Sequence, residues 1–87
     1  MGQGTHTALI TKVVIGKIHH SKDLMATISF KMENSTCSLY FSMDDISEMM
    51  DKTKCYEDVN QLIGRPCEIE IDDKNACHFK SIWKWDD

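Results

Sequence analysis

Leu24–Met43 reads LMATISFKMENSTCSLYFSM, and its alternation decides the fold. Leu24, Ala26, Ile28, Phe30 and Met32 fall on one side of an extended chain, and Met25, Thr27, Ser29, Lys31 and Glu33 on the other. Glu33–Thr36 has turn composition. After it Cys37, Leu39, Phe41 and Met43 alternate with Ser38, Tyr40 and Ser42. Two alternating strands about a short polar turn make a hairpin with one face inward.

Upstream, LITKVVIGKI at Leu9–Ile18 is β-branched and apolar, as expected of a strand covered on both faces, and Gly16 inside it suggests a bulge or bend. HHSKD at His19–Asp23 is the first turn, and residues 1–7 are expected to be a flexible lead-in. Its start, MGQGTH, nearly fits a myristoylation signal, but His6 stands where Ser or Thr is required.

Downstream the period changes from 2 to 3.6. Ile46, Met49, Met50 and Thr53 fall on one helical stripe, with Asp45 as the expected cap, Glu48 completing a capping box and Asp44 beside the positive helix end. A second helical turn groups Val59, Leu62 and Ile63 before Gly64 and Pro66 stop it. Cys67, Ile69 and Ile71 then alternate with Glu68, Glu70 and Asp72. The last strand sets Cys77, Phe79, Trp83 and Trp85 against His78, Lys80, Ile82 and Lys84. A final hairpin turning at Asp72–Asn75 places Glu70 opposite His78 and Glu68 opposite Lys80, with Asp72 a turn residue. The expectation is one α+β domain over residues 1–87: a small five-stranded antiparallel sheet or partly open barrel, order βββ-α-ββ, with one main helix after strand 3.

Composition narrows the function. The chain of 87 residues is 41% hydrophobic and 28% charged, with 14 acids against 10 bases and a net charge of −4. That is a globular composition without a global basic signal for nucleic acid. No stretch approaches the roughly 18 apolar residues of a membrane span, and no signal peptide pattern opens the chain. A cytoplasmic protein without membrane contact is expected. Cys37, Cys55, Cys67 and Cys77 lack metal-knuckle spacing and read as free core thiols.

The chemistry-bearing residues do not assemble a catalyst. His19–His20 and Cys77–His78 are adjacent pairs whose side chains point apart, and capping explains Asp44–Asp45. No phosphate loop, nucleophile elbow or dinucleotide fingerprint is present. No catalytic residue, metal or cofactor is expected. Candidate contacts for a protein partner are the carboxylates Glu68, Glu70 and Asp72 on the sheet, Asp44, Asp45, Glu48 and Asp51 on the helix, and the outward apolar pair Met25 and Tyr40. Met25 and Tyr40 would equally serve a homodimer. An alternative, nucleic-acid contact would use Lys12, Lys17, Tyr40 and Lys84.

Two resemblances extend this reading. The element order resembles that of the OB-fold, a small barrel often used for single-stranded nucleic acid. The segment YEDVNQLIGRPCEIEI, Tyr56–Ile71, resembles the closing part of small uncharacterised phage and prophage proteins. Tyr56, Glu57 and Asp58 take the place of their aromatic–Glu–Asp run, and Leu62, Gly64 and Arg65 that of their Leu-x-Gly-Lys/Arg. CSLYFSMDDIS replaces the glycine- and tryptophan-rich middle common in such proteins. The resemblance implies a non-catalytic accessory protein that binds a host protein, such as a defence nuclease or CRISPR effector, and inhibits it in an anti-CRISPR manner.

Overall fold

The structure, a computed structural model, describes residues 3–18 and 21–83. The strands are β1 (Gly4–Gly16), β2 (Met25–Lys31), β3 (Thr36–Ser42), β4 (Pro66–Ile71) and β5 (Cys77–Ile82). The helix α1 (Met43–Thr53) and a 3₁₀ turn (Val59–Leu62) lie between β3 and β4. All neighbouring strands are antiparallel, in the order β3-β2-β1-β4-β5. The sheet curls into a half-barrel whose edge strands converge, and the rings of Phe41 on β3 and Phe79 on β5 meet edge to face at 5.1 Å.

β1 is the spine. Gly4–Leu9 pairs with β4, and Leu9–Gly16 pairs with β2. Residues 4–7, expected in a flexible lead-in, are therefore strand, because the β4 backbone needs partners for its N–H and C=O groups. The expected bulge at Gly16 lies instead at Thr11, between Ile10↔Phe30 and Lys12↔Ser29. The extra residue bends the strand and inverts its faces. Ile10 and Val13 both reach the core, while Leu9, Thr11, Lys12 and Val14 point outward. The strand is covered on one face, not two.

The hairpin of β2 and β3 follows the reading closely. Ala26, Ile28, Phe30 and Met32 are buried, and Thr27 and Ser29 face Tyr40 and Ser38 across the ladder. Leu24 departs from it at 50% exposure, because β2 begins only at Met25 and the ladder does not hold Leu24 to either face.

α1 buries Ile46, Met49 and Thr53 against the inner face, with Met50 partly covered. Its cap is Ser42, not Asp45: the Ser42 hydroxyl accepts the Asp45 N–H at 3.2 Å. Buried Thr53 is satisfied within the helix, donating to the Met49 carbonyl at 2.8 Å. In the 3₁₀ turn Leu62 is buried and Val59 partly so, whereas Ile63 is exposed and leaves the expected group. Gly64 follows at φ 90, a conformation that favours glycine. It donates its N–H to the Ile10 carbonyl at 2.7 Å, and Ile10 N–H returns to the Arg65 carbonyl at 3.1 Å. The Leu-x-Gly-Arg run thus docks the turn onto β1.

Cys67, Ile69 and Ile71 of β4 face the core as read. β5 departs from its reading at a second bulge. Glu68 opposes Ser81 and Ile69 opposes Phe79, which leaves Lys80 as the extra residue. Beyond it the faces invert, so Ile82 is buried and Trp83 is 49% exposed. Trp85 and Lys84 lie outside the described residues, as does the pair His19–His20.

Candidate binding surfaces

The helix and the sheet carry the candidate residues on opposite sides. At the end of the barrel where β2 begins and α1 starts, a cleft of about 580 Å³ is lined by Leu24, Met25 and Met43, with Asp23 and Asp44 among its polar residues. The turn leading into it is held by Ser21, whose hydroxyl donates to the Asp23 carbonyl at 2.8 Å. Asp44 and Asp45 occupy the first turn of α1, where the helix dipole favours negative charge.

The seam between β3 and β5 holds a second cleft, of about 390 Å³, lined by Tyr40, Phe41, Asp45, Glu48, Phe79 and Lys80 among others. Glu48 pairs with Lys52 one turn on at 3.1 Å, an exposed pair of small energetic weight. Asp51 lines a third cleft with Ile15, Met50, Tyr56 and Val59. The acids of the helix therefore split among three concavities.

The outer sheet face is separate. Glu68 lies between Thr7 and Ser81, and Glu70 between Thr5 and His78. The expected Glu68–Lys80 pairing is replaced because the bulge puts Ser81 opposite Glu68, and Lys80 reaches Thr5 Oγ1 at 3.2 Å. Glu70 and His78 are opposite as read, yet the His78 ring contacts Asp72 instead, at 2.8 Å. Asp72 also accepts the Lys74 and Ala76 N–H groups, each at 2.9 Å. These bonds, His78 first, hold its carboxyl below the ordinary value of 3.8. Asp72 is thus a turn residue committed to its own hairpin.

Met25 and Tyr40 are brought together. Thr27 opposes Tyr40, Met25 opposes Ser42, and Val14 opposes Thr27 from the other side. Tyr40 and Val14 are 54% and 48% exposed. Lys12 faces Ser29, and Lys31 lies between Leu9 and Thr36. Lys17 is exposed beyond the end of β1, apart from this group in the ladder. Sequence reading missed Leu9, Val14 and Leu24 as surface residues. The signal that would have recovered two of them is Lys12 following Ile10, which regular alternation would have buried.

All four cysteines are free. Burial pushes the Cys67 thiol up to about 12, and it donates to the Ala8 carbonyl at 3.5 Å. Burial, then the neighbouring Cys77 thiol, raises Cys37 to about 12. Such thiols stay protonated at neutral pH and act as small hydrophobes rather than nucleophiles. Among the described residues no group of three or more His, Cys, Asp or Glu is arranged to hold a metal ion, and no helix is long and apolar enough to cross a membrane. Compared with protein-family models, with curated proteins and with solved structures, the chain has no significant match in any of the three.

Proposed function

We propose that this chain is a small, non-catalytic, phage-type accessory protein that binds a host protein through the barrel-end cleft. One observation carries the reading: Leu24, half exposed, stands with Met25 and Met43 in a cleft bordered by Asp23 and Asp44, with Lys22 also on its rim. An apolar floor with carboxylates beside it suits an apolar anchor flanked by Lys or Arg, the arrangement typical of a desolvated interface centre with a charged rim. The resemblance of Tyr56–Ile71 to phage proteins supports a bacterial host target, with a defence nuclease or CRISPR effector the class it implies and inhibition the expected consequence.

The test is affinity capture from bacterial lysate after nuclease treatment, with Leu24→Asp and Asp44→Lys as paired controls. A single protein retained by the wild type and lost by both variants supports the reading. Retention that ignores both substitutions removes the cleft from it, and no retained protein removes the reading itself.

A second reading, an OB-like module for single strands, draws support from the strand order and from Tyr40, Lys12 and Lys31 sharing the outer face of β1–β3. It requires binding of a single-stranded oligonucleotide that weakens steeply with salt, with a log–log slope of about −0.7 per phosphate neutralised.

A further inference from the structure

The outer face of the sheet is divided by charge. The outward residues of β2 and β3 are Met25, Thr27, Ser29 and Lys31, then Thr36, Ser38, Tyr40 and Ser42. None is acidic, and Lys12 of β1 adjoins them opposite Ser29. The outward residues of β4 between its neighbours are Glu68 and Glu70. Between the halves stands Leu9, 47% exposed, with Lys31 on one side and Pro66 on the other. On β5 beside these glutamates, Lys80 contacts Thr5, and His78, opposite Glu70, contacts Asp72, each within its own chain. α1 and the 3₁₀ turn pack on the inner face, so no described element covers this one.

A face of one sign repels its own copy, whereas a face with separated signs is complementary to itself under a two-fold rotation. The placement of the charges permits that rotation. Laid flat at about 4.8 Å between strands and about 3.4 Å per residue, the midpoint of Lys12 and Lys31 lies about 16 Å from that of Glu68 and Glu70. Halfway between them is β1 at Thr7–Leu9. A two-fold axis through that point, in the plane of contact, exchanges the two pairs and leaves Leu9 beside the axis. The outer face is the convex side of the half-barrel, so the contact is confined to β1 and the flanking parts of β2 and β4 that carry these residues.

We propose that a second copy of this chain covers the outer sheet face in a two-fold dimer, with Lys12 and Lys31 of each copy against Glu68 and Glu70 of the other and Leu9 near the centre. The charged contacts and Leu9 lie apart from the barrel-end cleft, which shares only Met25 and Ser42 with the edge of this face, so Leu24→Asp leaves those contacts intact.

The experiment is sedimentation equilibrium from micromolar to millimolar concentration at low salt, with circular dichroism to verify folding. The wild type dimerises. Lys12→Glu/Lys31→Glu and Glu68→Lys/Glu70→Lys each weaken self-association by roughly a hundredfold, as like charges meet twice. An equimolar mixture of the two restores a dimer, because all reversed pairs are again opposite. If a double variant unfolds, Leu9→Asp substitutes for it and is monomeric. A wild type that stays monomeric overturns the proposal, whether or not it binds an oligonucleotide on this face. Charge-reversed variants that dimerise like the wild type, or a mixture that does not reassociate, overturn it as well.

Discussion

Ile82 and Ser81 exchange roles across the β5 bulge, and substituting each gives a direct measure of it. Ile82 is 5% exposed and stands opposite Cys67, which pairs in turn with Ala8. Ile82→Ala deletes three buried carbon groups at about 0.8 kcal/mol each. The cavity left behind adds to this, and an edge strand can partly close it, so the loss comes to about 3 kcal/mol. A chain of 87 residues holds roughly 4–13 kcal/mol in total. With an unfolding entropy of about 180 cal/mol/K, the melting temperature falls by about 16 °C. Ser81→Lys faces outward opposite Glu68 and changes stability by less than about 1 kcal/mol, in the favourable direction. In a strand without the bulge the order reverses: Ser81 points inward, its lysine variant buries an unpaired charge, and Ile82→Ala costs little. Urea and thermal unfolding of the two variants, followed by circular dichroism, decide between the arrangements. A Ser81→Lys protein less stable than Ile82→Ala would refute the register.

The cap of α1 gives a second contrast: Ser42→Ala loses the hydrogen bond to the Asp45 N–H and costs about 1 kcal/mol. Asp45→Ala removes only a favourable charge near the helix start, about 0.3–1 kcal/mol that fades in high salt, so equal and salt-independent losses would contradict the assignment. Asp72 supplies the pH dependence. Its folded pKa lies below 3.8 because His78 and two backbone N–H groups hold the carboxylate, so the turn's contribution is complete above that value and lost as pH falls through the lowered one. An NMR titration of the Asp72 carboxyl should show a midpoint under 3.8 that rises in His78→Ala, and an unmoved midpoint contradicts the contact.

Periodicity made much of this fold legible. The inward faces of β2 and β4 and the stripe of α1 obey simple repeats, because each is held to one side by continuous pairing or packing. The departures occur where that restraint lapses. Leu24 precedes the first paired residue of β2, and Ile63 follows the 3₁₀ turn. Asp45 looked like a cap because its neighbours fit a capping box, but the chain turns helical one residue after Ser42, whose hydroxyl was nearer the free N–H groups. The bulge at Thr11 had a signal: Ile10 and Lys12 cannot both face a dry core, since an unpaired buried lysine costs several kcal/mol. The bulge at Lys80 had a weaker one: Lys80 outward is acceptable with or without it, but regular alternation turns Ile82 outward and Ser81 inward, the reverse of what their polarity favours. The grouping of the acids was least legible, since which carboxylates share a surface depends on how α1 sits on the sheet and not on spacing along the chain.

The same lapses locate the surfaces proposed for binding. A residue inside a regular ladder with its side chain inward is selected by the core, and a substitution there is paid in stability. Leu24 at the strand start and Lys12 and Val14 beyond the Thr11 bulge carry no such burden. The bulge turns Lys12 and Val14 outward together, next to Thr27 and Tyr40, while Val13 takes the inward place. By bulging at Thr11 the strand thus keeps a charge out of the interior and sets a basic and apolar half beside the glutamates of β4. Deleting Thr11 would make Ile10↔Phe30 and Lys12↔Ser29 consecutive rungs and keep Lys12 outward. Flattening the bulge with Thr11 in place would instead send Lys12 inward and Val13 outward, so that the core and the outer face would be lost together. That coupling ties the charge division of the outer face to the folding of β1.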